Sequence, residues 1–485
     1  MKKSILILSL LGAAASAKAQ APVTLGPWVQ GNLTNVVSGA PGYQVLQVST
    51  VSSTVAWSLA KENTATGTAN YFFKTNNAAG TEFNFDQISA PGSNAAYESA
   101  NISAVSGTTA IAGKYGGNGG GEILRTTNGG TSWTKTTATS DFTAGGGFLD
   151  FVHMFDANEG VAVGDPVGGY FEIRRTTNGG ASWTRIASTP VLVPFAGEAA
   201  LVRSFCTLGN TIWFGGASGG ATEQERIFKS TDRGLTWTVS APTPLTENIS
   251  KIAFKDPLNG IAYNLKGTTA ITAVNLIRTS DGGATWQTIT PTNTATGSFF
   301  ISDIDAVNGR YYSVGSRFPR TTPSTTADFG TSYSVDGVTW RNLSNIDMLQ
   351  NDHNLIAIDV IANGTATGAT GYAGSFTDAN GVGGMYRAAN IVTATRDGAL
   401  QTALTAFPNP SATGVFNVDL GSTLKAGAQL TVVDALGRVV KSQNLSAAAV
   451  GARNLSLDLS TEKAGVYTLQ IQTADGIATR KLVVE

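Results

Sequence analysis

The side chains of this sequence that could do chemistry are a scatter of acids, two histidines and three arginines. Asp150, Asp165, Glu198, Asp303, Asp352 and Asp359 could gather around one opening, and like charges held close raise one carboxyl pKa, as acid catalysis requires. Apart from one another, the same residues are solvated carboxylates. His153 and His353 are the only histidines. Aligning Gly160, Gly260 and Gly309 puts Ala253 and Ser302 at the position of His153, so that position accepts several residue types and a structural imidazole fits it. Arg310, Arg317 and Arg320 stand near a long loop, where a guanidinium could grip a carboxylate through two hydrogen bonds or simply be solvated. The residues expected on a ligand-binding rim are His153, Asp150, Asp165, Glu198, Asp303, Arg317, Arg320 and His353. None is assigned as catalytic, and neither a metal nor a cofactor is expected. Asp156–Gly160 and Thr377–Gly381 begin like calcium loops but lack the bidentate Glu at the twelfth position, so they read as turns. Gly116–Gly121 has no Gly-Lys-Ser/Thr after it and is no phosphate loop.

The elements that must hold these residues come from a repeat. Arg125-Thr-Thr-Asn128-Gly-Gly-Thr-Ser-Trp133 and Arg175-Thr-Thr-Asn178-Gly-Gly-Ala-Ser-Trp183 are nearly identical. Lys229-Ser-Thr-Asp232-Arg-Gly-Leu-Thr-Trp237, Arg278-Thr-Ser-Asp281-Gly-Gly-Ala-Thr-Trp286 and Ser334-Val-Asp336-Gly-Val-Thr-Trp340 continue the series. The tryptophans stand 50, 54, 49 and 54 residues apart. Each copy suits a tight hairpin: Asp or Asn bonds backbone N–H groups just ahead, Gly takes φ > 0, and Trp packs beneath the turn. Upstream, Phe155–Gly164, Lys255–Asn264 and Ile304–Gly309 share a strand-turn-strand pattern. One unit is therefore a four-stranded meander, a propeller blade.

Seven blades are expected, at about 45–85, 102–137, 149–187, 199–240, 249–290, 300–343 and 352–389. The first is degenerate, with Phe83 where a box aromatic should stand, and the seventh reaches Met385-Tyr386-Arg387 without a tryptophan. Trp28 lies 55 residues before Phe83, so residues 26–33 are expected to supply the outer strand of blade seven and close the ring. In such a ring the boxes and first turns share one rim. The long second turns and inter-blade links form the other, the expected binding face.

The five boxes resemble the Asp-box, or bacterial neuraminidase repeat, which by that resemblance is structural and lies away from active sites. Asp232, Asp281 and Asp336 are accordingly not expected to be catalytic. The chain is similar to three kinds of Asp-box propeller: photosystem II assembly-factor-like and sortilin-type binding proteins, sialidases, and xyloglucanase-like glycoside hydrolases. The sialidase Phe/Tyr-Arg-Ile-Pro element is missing; Arg317-Phe318-Pro319-Arg320 mimics only part of it, in the wrong blade. Xyloglucanases place substrate between two propellers, and the count here gives one. The resemblance therefore implies a binding scaffold for a protein, peptide or glycan, with polysaccharide hydrolysis as the alternative.

The two ends differ from the repeat. Lys2 and Lys3, an apolar run Ile5–Leu11 and Ala17-Lys18-Ala19 form a secretory signal pattern over residues 1–19. The propeller is expected over 20–398 and a small β-sandwich over 399–485, with strands near 414–420, 429–434, 438–443, 454–459, 466–472 and 478–484. Phe407-Pro-Asn-Pro410, Val433–Val440, Leu459-Ser460 with Ala464–Tyr467, and Lys481-Leu-Val483 resemble the type A sorting domain of the type IX secretion system, which implies that export machinery is a partner. Composition agrees with an exported all-β chain. Of 485 residues, 13% are charged, 57 are Gly and 42% are hydrophobic. A net charge of −1 provides no field for nucleic acid or anionic lipid. With Cys206 alone, neither an intrachain disulfide nor a thiolate zinc site can form. No further segment has the apolar length to span a membrane.

Overall fold

The computed structural model describes residues 24–25, 28–34, 42–62, 70–75, 84–92, 97–117, 119–138, 141–142, 147–218, 222–266, 271–293, 297–319, 328–345, 355–363, 368–377, 383–391, 398–421, 428–434, 439–445, 451–472 and 477–485. The signal segment, Phe83, Arg320, Asp352, His353 and residues 378–381 lie outside them. Two compact units divide the chain, Met1–Ile391 and Val392–Glu485.

The first unit is a seven-bladed β-propeller. Its innermost strands are Tyr43–Thr50, Tyr97–Ala104, Leu149–Met154, Ala199–Leu208, Lys251–Phe254, Asp303–Val307 and Ala357–Ala362, and each opens an antiparallel meander. Blades two to six take all four strands from consecutive sequence. Blade seven does not: after Ala357–Ala362, Ala369–Thr377 and Gly383–Ile391, its outer strand is Trp28–Gln30, with Val29 opposite Arg387 and Gln30 opposite Tyr386. Trp28 is fully buried, and its indole N–H donates to Thr331 Oγ1 of blade six at 3.2 Å. The chain then adds a feature the repeat did not signal. Asn32–Thr34 runs parallel to Asn84–Ile88 as a fifth strand on blade one. The same segment thus ties the outer edges of the last and first blades.

Every box folds by the same local chemistry. The Thr or Ser two residues before the Asx donates to its Oδ1, at 2.9 Å from Thr176 and 2.7 Å from Ser230, and accepts the N–H of the box glycine. Asx Oδ1 also accepts the N–H of the residue before Trp, at 2.8 Å in Thr236 and 3.0 Å in Thr285. The residue after Asx has a left-handed φ, 70° at Gly179 and 77° at Gly282. Arg233 takes that place in blade four with φ 58° and is held there by ion pairs to Asp156 and Glu159 of blade three. The basic residue opening a repeat bonds the next blade's box: Arg125 Nε donates to Gly179 O at 2.8 Å, and Arg175 Nε to Arg233 O at 2.9 Å.

The indoles of Trp237, Trp286 and Trp340 donate to Gly234, Gly283 and Gly337 of their own turns. Trp133 differs. It is half-buried, donates to Ser89 O at 2.9 Å, and lies against Trp57 and Phe72 of blade one. Trp183 likewise reaches back, to Thr136 Oγ1. Across from Phe205, blade four has Phe214, which meets Trp237 edge-on at 5.2 Å; the equivalent pair in blade two is Ile102 and Ala112.

The second unit is a β-sandwich. Thr405–Phe407, Val415–Asp419 and Asn454–Asp458 form one sheet; Val439–Asn444, Gln429–Val433, Gly465–Gln472 and Ile477–Val484 form the other. Phe416 and Val418, Leu430 and Val432, and Leu469 and Ile471 fill its core at period two. Thr405–Phe407 and a short helix, Gly398–Ala403, are additions to the six expected strands. Asn409 pins the Phe-Pro-Asn-Pro stretch to the last strand: its Nδ2 donates to Lys481 O at 2.6 Å and its Oδ1 accepts Val483 N–H at 2.9 Å.

Candidate functional site

The seven innermost strands surround a cavity of about 360 Å³. Adjacent strands there are stitched by side chains that bond the next blade's backbone. Gln47 Oε1 accepts Ile102 N–H at 2.8 Å, Asn101 Oδ1 accepts Val152 N–H at 2.8 Å, and Asp303 Oδ2 accepts Ile358 N–H at 3.0 Å. Two residues further along, Ser49 accepts Ala104 N–H, Ser103 accepts Met154 N–H, Asp305 accepts Val360 N–H, and Asp359 accepts Thr50 N–H across the closure. Cys206 takes the corresponding bond from Phe254. One ring position therefore holds Ser49, Ser103, His153, Cys206, Ala253, Asp305 and Asp359.

That ring corrects the alignment made on the turn glycines. Ala253 does share the position of His153, but in blade six the residue is Asp305 and not Ser302. The reason is hairpin length: blade three turns through residues 155–159, whereas blade six turns tightly through Asn308 and Gly309. His153 also lies near the end of its strand, inside the cavity, and not at a strand start on the rim. It stacks edge-on to Phe155 at 4.8 Å, and burial lowers its pKa to about 4, so it is neutral at physiological pH.

The other expected rim residues separate into distinct surroundings. Asp303 lies in the cavity, ion-paired to Lys251 at 2.6 Å. Glu198 is buried under the rim, where both oxygens take the Arg226 guanidinium and Oε2 also accepts Phe195 N–H at 2.8 Å. Arg317 is no free gripping group: it donates to buried Asp328 at 2.6 Å and 3.1 Å and braces the base of its loop. Asp150 and Asp165 are buried on the first two strands of blade three. Among the described residues of the expected rim set, His153 and Asp303 line the cavity.

Asp359, one of the acids expected to gather at an opening, lines it as well, and residues not foreseen complete it: Arg203, Phe205, Lys251 and Asp305. Asp305 and Asp359 hydrogen-bond to each other. Burial, and then the charge of Asp359, push Asp305 well above the usual carboxylate range; burial raises Asp359 to about 6. Arg203 sits in a bulge between Ala200 and Phe205 with a left-handed φ of 62°, and its Nη1 crosses to blade two to donate to Ala100 O at 2.7 Å. An alternating polar pattern along Asp303, Asp305 and Asp359 was the available signal for the acids; nothing local marks Arg203. Among the described residues, no group of three or more His, Cys, Asp or Glu side chains is arranged to hold a metal ion.

Residues 405–485 match the secretion system C-terminal sorting domain. The chain ends in a type IX secretion sorting domain. It is therefore a protein of the cell surface or extracellular space with the type IX machinery as partner, and no helix among its described residues is long and apolar enough to cross a membrane. No curated protein matches the sequence. Among solved structures it is similar to YCF48 bound to D1 peptide, at 12% identity over 78% of this chain and 100% of that one, with a TM-score of 0.45. It is also similar to PorZ, a surface component of the type IX secretion system of Porphyromonas gingivalis: 13% identity, 91% of this chain, 59% of that one, TM-score 0.46. A GH74 xyloglucanase from Xanthomonas campestris gives 15% identity, 90% and 66% coverage and a TM-score of 0.25.

Proposed function

We propose that this exported propeller is a binding scaffold whose rim of second turns and inter-blade links receives a protein or glycan. The observation that carries the reading is the platform at Phe195. Among the described residues of the propeller it is the aromatic left exposed, at 48%, with Val193 exposed beside it. The Arg226 guanidinium lies 3.6 Å from the ring centroid on one face, and buried Glu198 fixes that guanidinium. Arg226 also donates to Val193 O at 3.0 Å. The loop is thus rigid before any ligand arrives, and a preorganised aromatic with a polar rim loses little entropy on binding.

Carboxylate geometry weighs against hydrolysis as the function. Glycosidases separate their two carboxyl groups by about 5 Å or about 6.5–9.5 Å across a groove. Asp305 and Asp359 share a hydrogen bond, and Glu198 and Asp303 are each paired with a cation. The test is to screen the purified chain against glycan and peptide arrays and to assay polysaccharides for new reducing ends. Saturable binding that Phe195→Ala removes, without a change in melting temperature, is expected. Release of reducing ends, abolished by one acid substitution, would replace the scaffold with a hydrolase.

A further inference from the structure

We infer that the central cavity is a binding site for a small organic carboxylate, anchored by the Arg203 guanidinium with Phe205 and His153 as the wall for its carbon body. This site is separate from the rim platform and takes a different class of ligand.

Backbone, donors and surroundings each point to it. An L residue with a long side chain is disfavoured at φ 62°, where Gly, Asn or Asp is the ordinary occupant. Strain of this kind persists where the side chain it presents is needed. Arg203 commits Nη1 to Ala100 O. Arg203 lines the cavity, and no carboxylate among the described residues forms an ion pair with it. The contrast with Arg174, Arg226, Arg233 and Arg317 is direct, since each of those is neutralised by a carboxylate within 2.8 Å. Two adjacent N–H groups on the free edge of a guanidinium match the two oxygens of one carboxylate.

The surroundings select an organic monoanion over phosphate. Phe205 stacks on Phe151 at 4.2 Å and lies 6.0 Å from the His153 ring, giving an apolar wall one residue from the bulge. Lys251 supplies a second cation in the cavity but is already paired with Asp303. The negative charges of Asp303 and Glu98 also act on Arg203, so the net field suits one negative charge better than two.

Calorimetric titration of the full chain at pH 7.5 with benzoate, acetate and inorganic phosphate tests the proposal. Benzoate should bind most tightly, acetate less so, and phosphate about tenfold or more weaker than benzoate. Arg203→Gln should weaken benzoate about tenfold or more. Phe205→Ala should weaken benzoate while sparing acetate. Arg203→Gly should abolish binding, with a ligand-free melting temperature no lower than that of Arg203→Gln, because both variants lose the guanidinium bond to Ala100 O and only glycine accepts the left-handed backbone. Three results would overturn the site: no carboxylate binding at millimolar concentration, phosphate binding as tight as benzoate, or benzoate affinity intact in Arg203→Gln. A lower melting temperature in Arg203→Gly with binding retained would make Arg203 a framework residue and would also overturn it.

Discussion

At the scale of single residues, the ring position of Ser49, Ser103, His153, Cys206, Ala253, Asp305 and Asp359 couples the propeller to pH in two opposing directions. Folded Asp359 keeps its proton up to about 6, while the unfolded chain releases it near 3.8. Between those values the native state binds more protons, so stability falls as pH rises. Asp305, also raised by burial, acts in the same direction. His153 runs the other way. It is held at about 4 in the fold against 6.5 when unfolded, so over that window the unfolded state binds more protons and stability rises with pH. Each slope approaches about 1.4 kcal/mol per pH unit where one proton is fully taken up or released. The two overlap between pH 4 and pH 6. Melting curves from pH 4.5 to 6.5 should therefore separate in two variants. His153→Asn leaves the acids and should lose stability as pH rises; Asp359→Asn made together with Asp305→Asn leaves the imidazole and should gain it. Parallel profiles in the two variants would contradict these environments. The box acids do not interfere, because hydrogen bonds hold Asp281 below its ordinary value and its contribution is lost only under the window.

At the scale of elements, what was legible in the sequence is what local chemistry decides. An Asx at one position, a hydroxyl two before and a glycine one or two after are close in sequence and in space, so five boxes and the blades around them could be read directly. The strands of the sandwich were legible for the same reason, since period two is a property of each strand alone. The cavity was not. Its lining depends on the register between strands about fifty residues apart, and that register is shifted by bulges at Val45/Gln47, Ser99/Asn101 and Ala200/Phe205 and by hairpins of unequal length. One slip moved the position of His153 from Asp305 to Ser302, and the bulge that presents Arg203 has no local mark. The indoles make a prediction at this scale. Trp237 is 7% exposed and packs on Phe214 of its own blade, so Trp237→Ala should lower stability by roughly 3–5 kcal/mol in denaturant titration. Trp133 is half-buried and leans on blade one, so Trp133→Ala should cost less than half as much. Equal losses would mean that the boxes do not differ in how they seat their tryptophans.

At the scale of the whole molecule, a ring of seven sheets needs one joint that the repeat cannot make, and here the N-terminal segment makes it twice. Trp28–Gln30 completes the outer edge of blade seven, and Asn32–Thr34 then pairs with blade one. Inside the ring the same junction is closed by Asp359 accepting Thr50 N–H, with Thr50 Oγ1 donating back to Asp359 O at 3.0 Å. The closure is therefore held at both its outer and inner ends, while each other joint is internal to consecutive chain. A chain beginning at residue 41 should keep the inner bond and lose the outer one. Met385–Arg387 would become an unpaired sheet edge, and the apolar contacts of Trp28 with the Tyr312 and Tyr386 cluster would be lost. We expect the propeller transition in calorimetry to broaden and move to lower temperature, with concentration-dependent association through the open edge. The sandwich transition should be unmoved, since its core draws on none of these residues. Trp28→Ala in the full chain separates the two contributions: it removes the indole and its bond to Thr331 but keeps the backbone ladder, so it should lower the transition without broadening it. If the shortened chain melted like the full one, closure would rest on the inner contacts of blade seven with blade one, namely the Asp359–Thr50 joint, the pairing of Phe376 with Gln44 and the Tyr372 hydroxyl donating to Ser53 O, and the outer strand would be an ornament of blade seven.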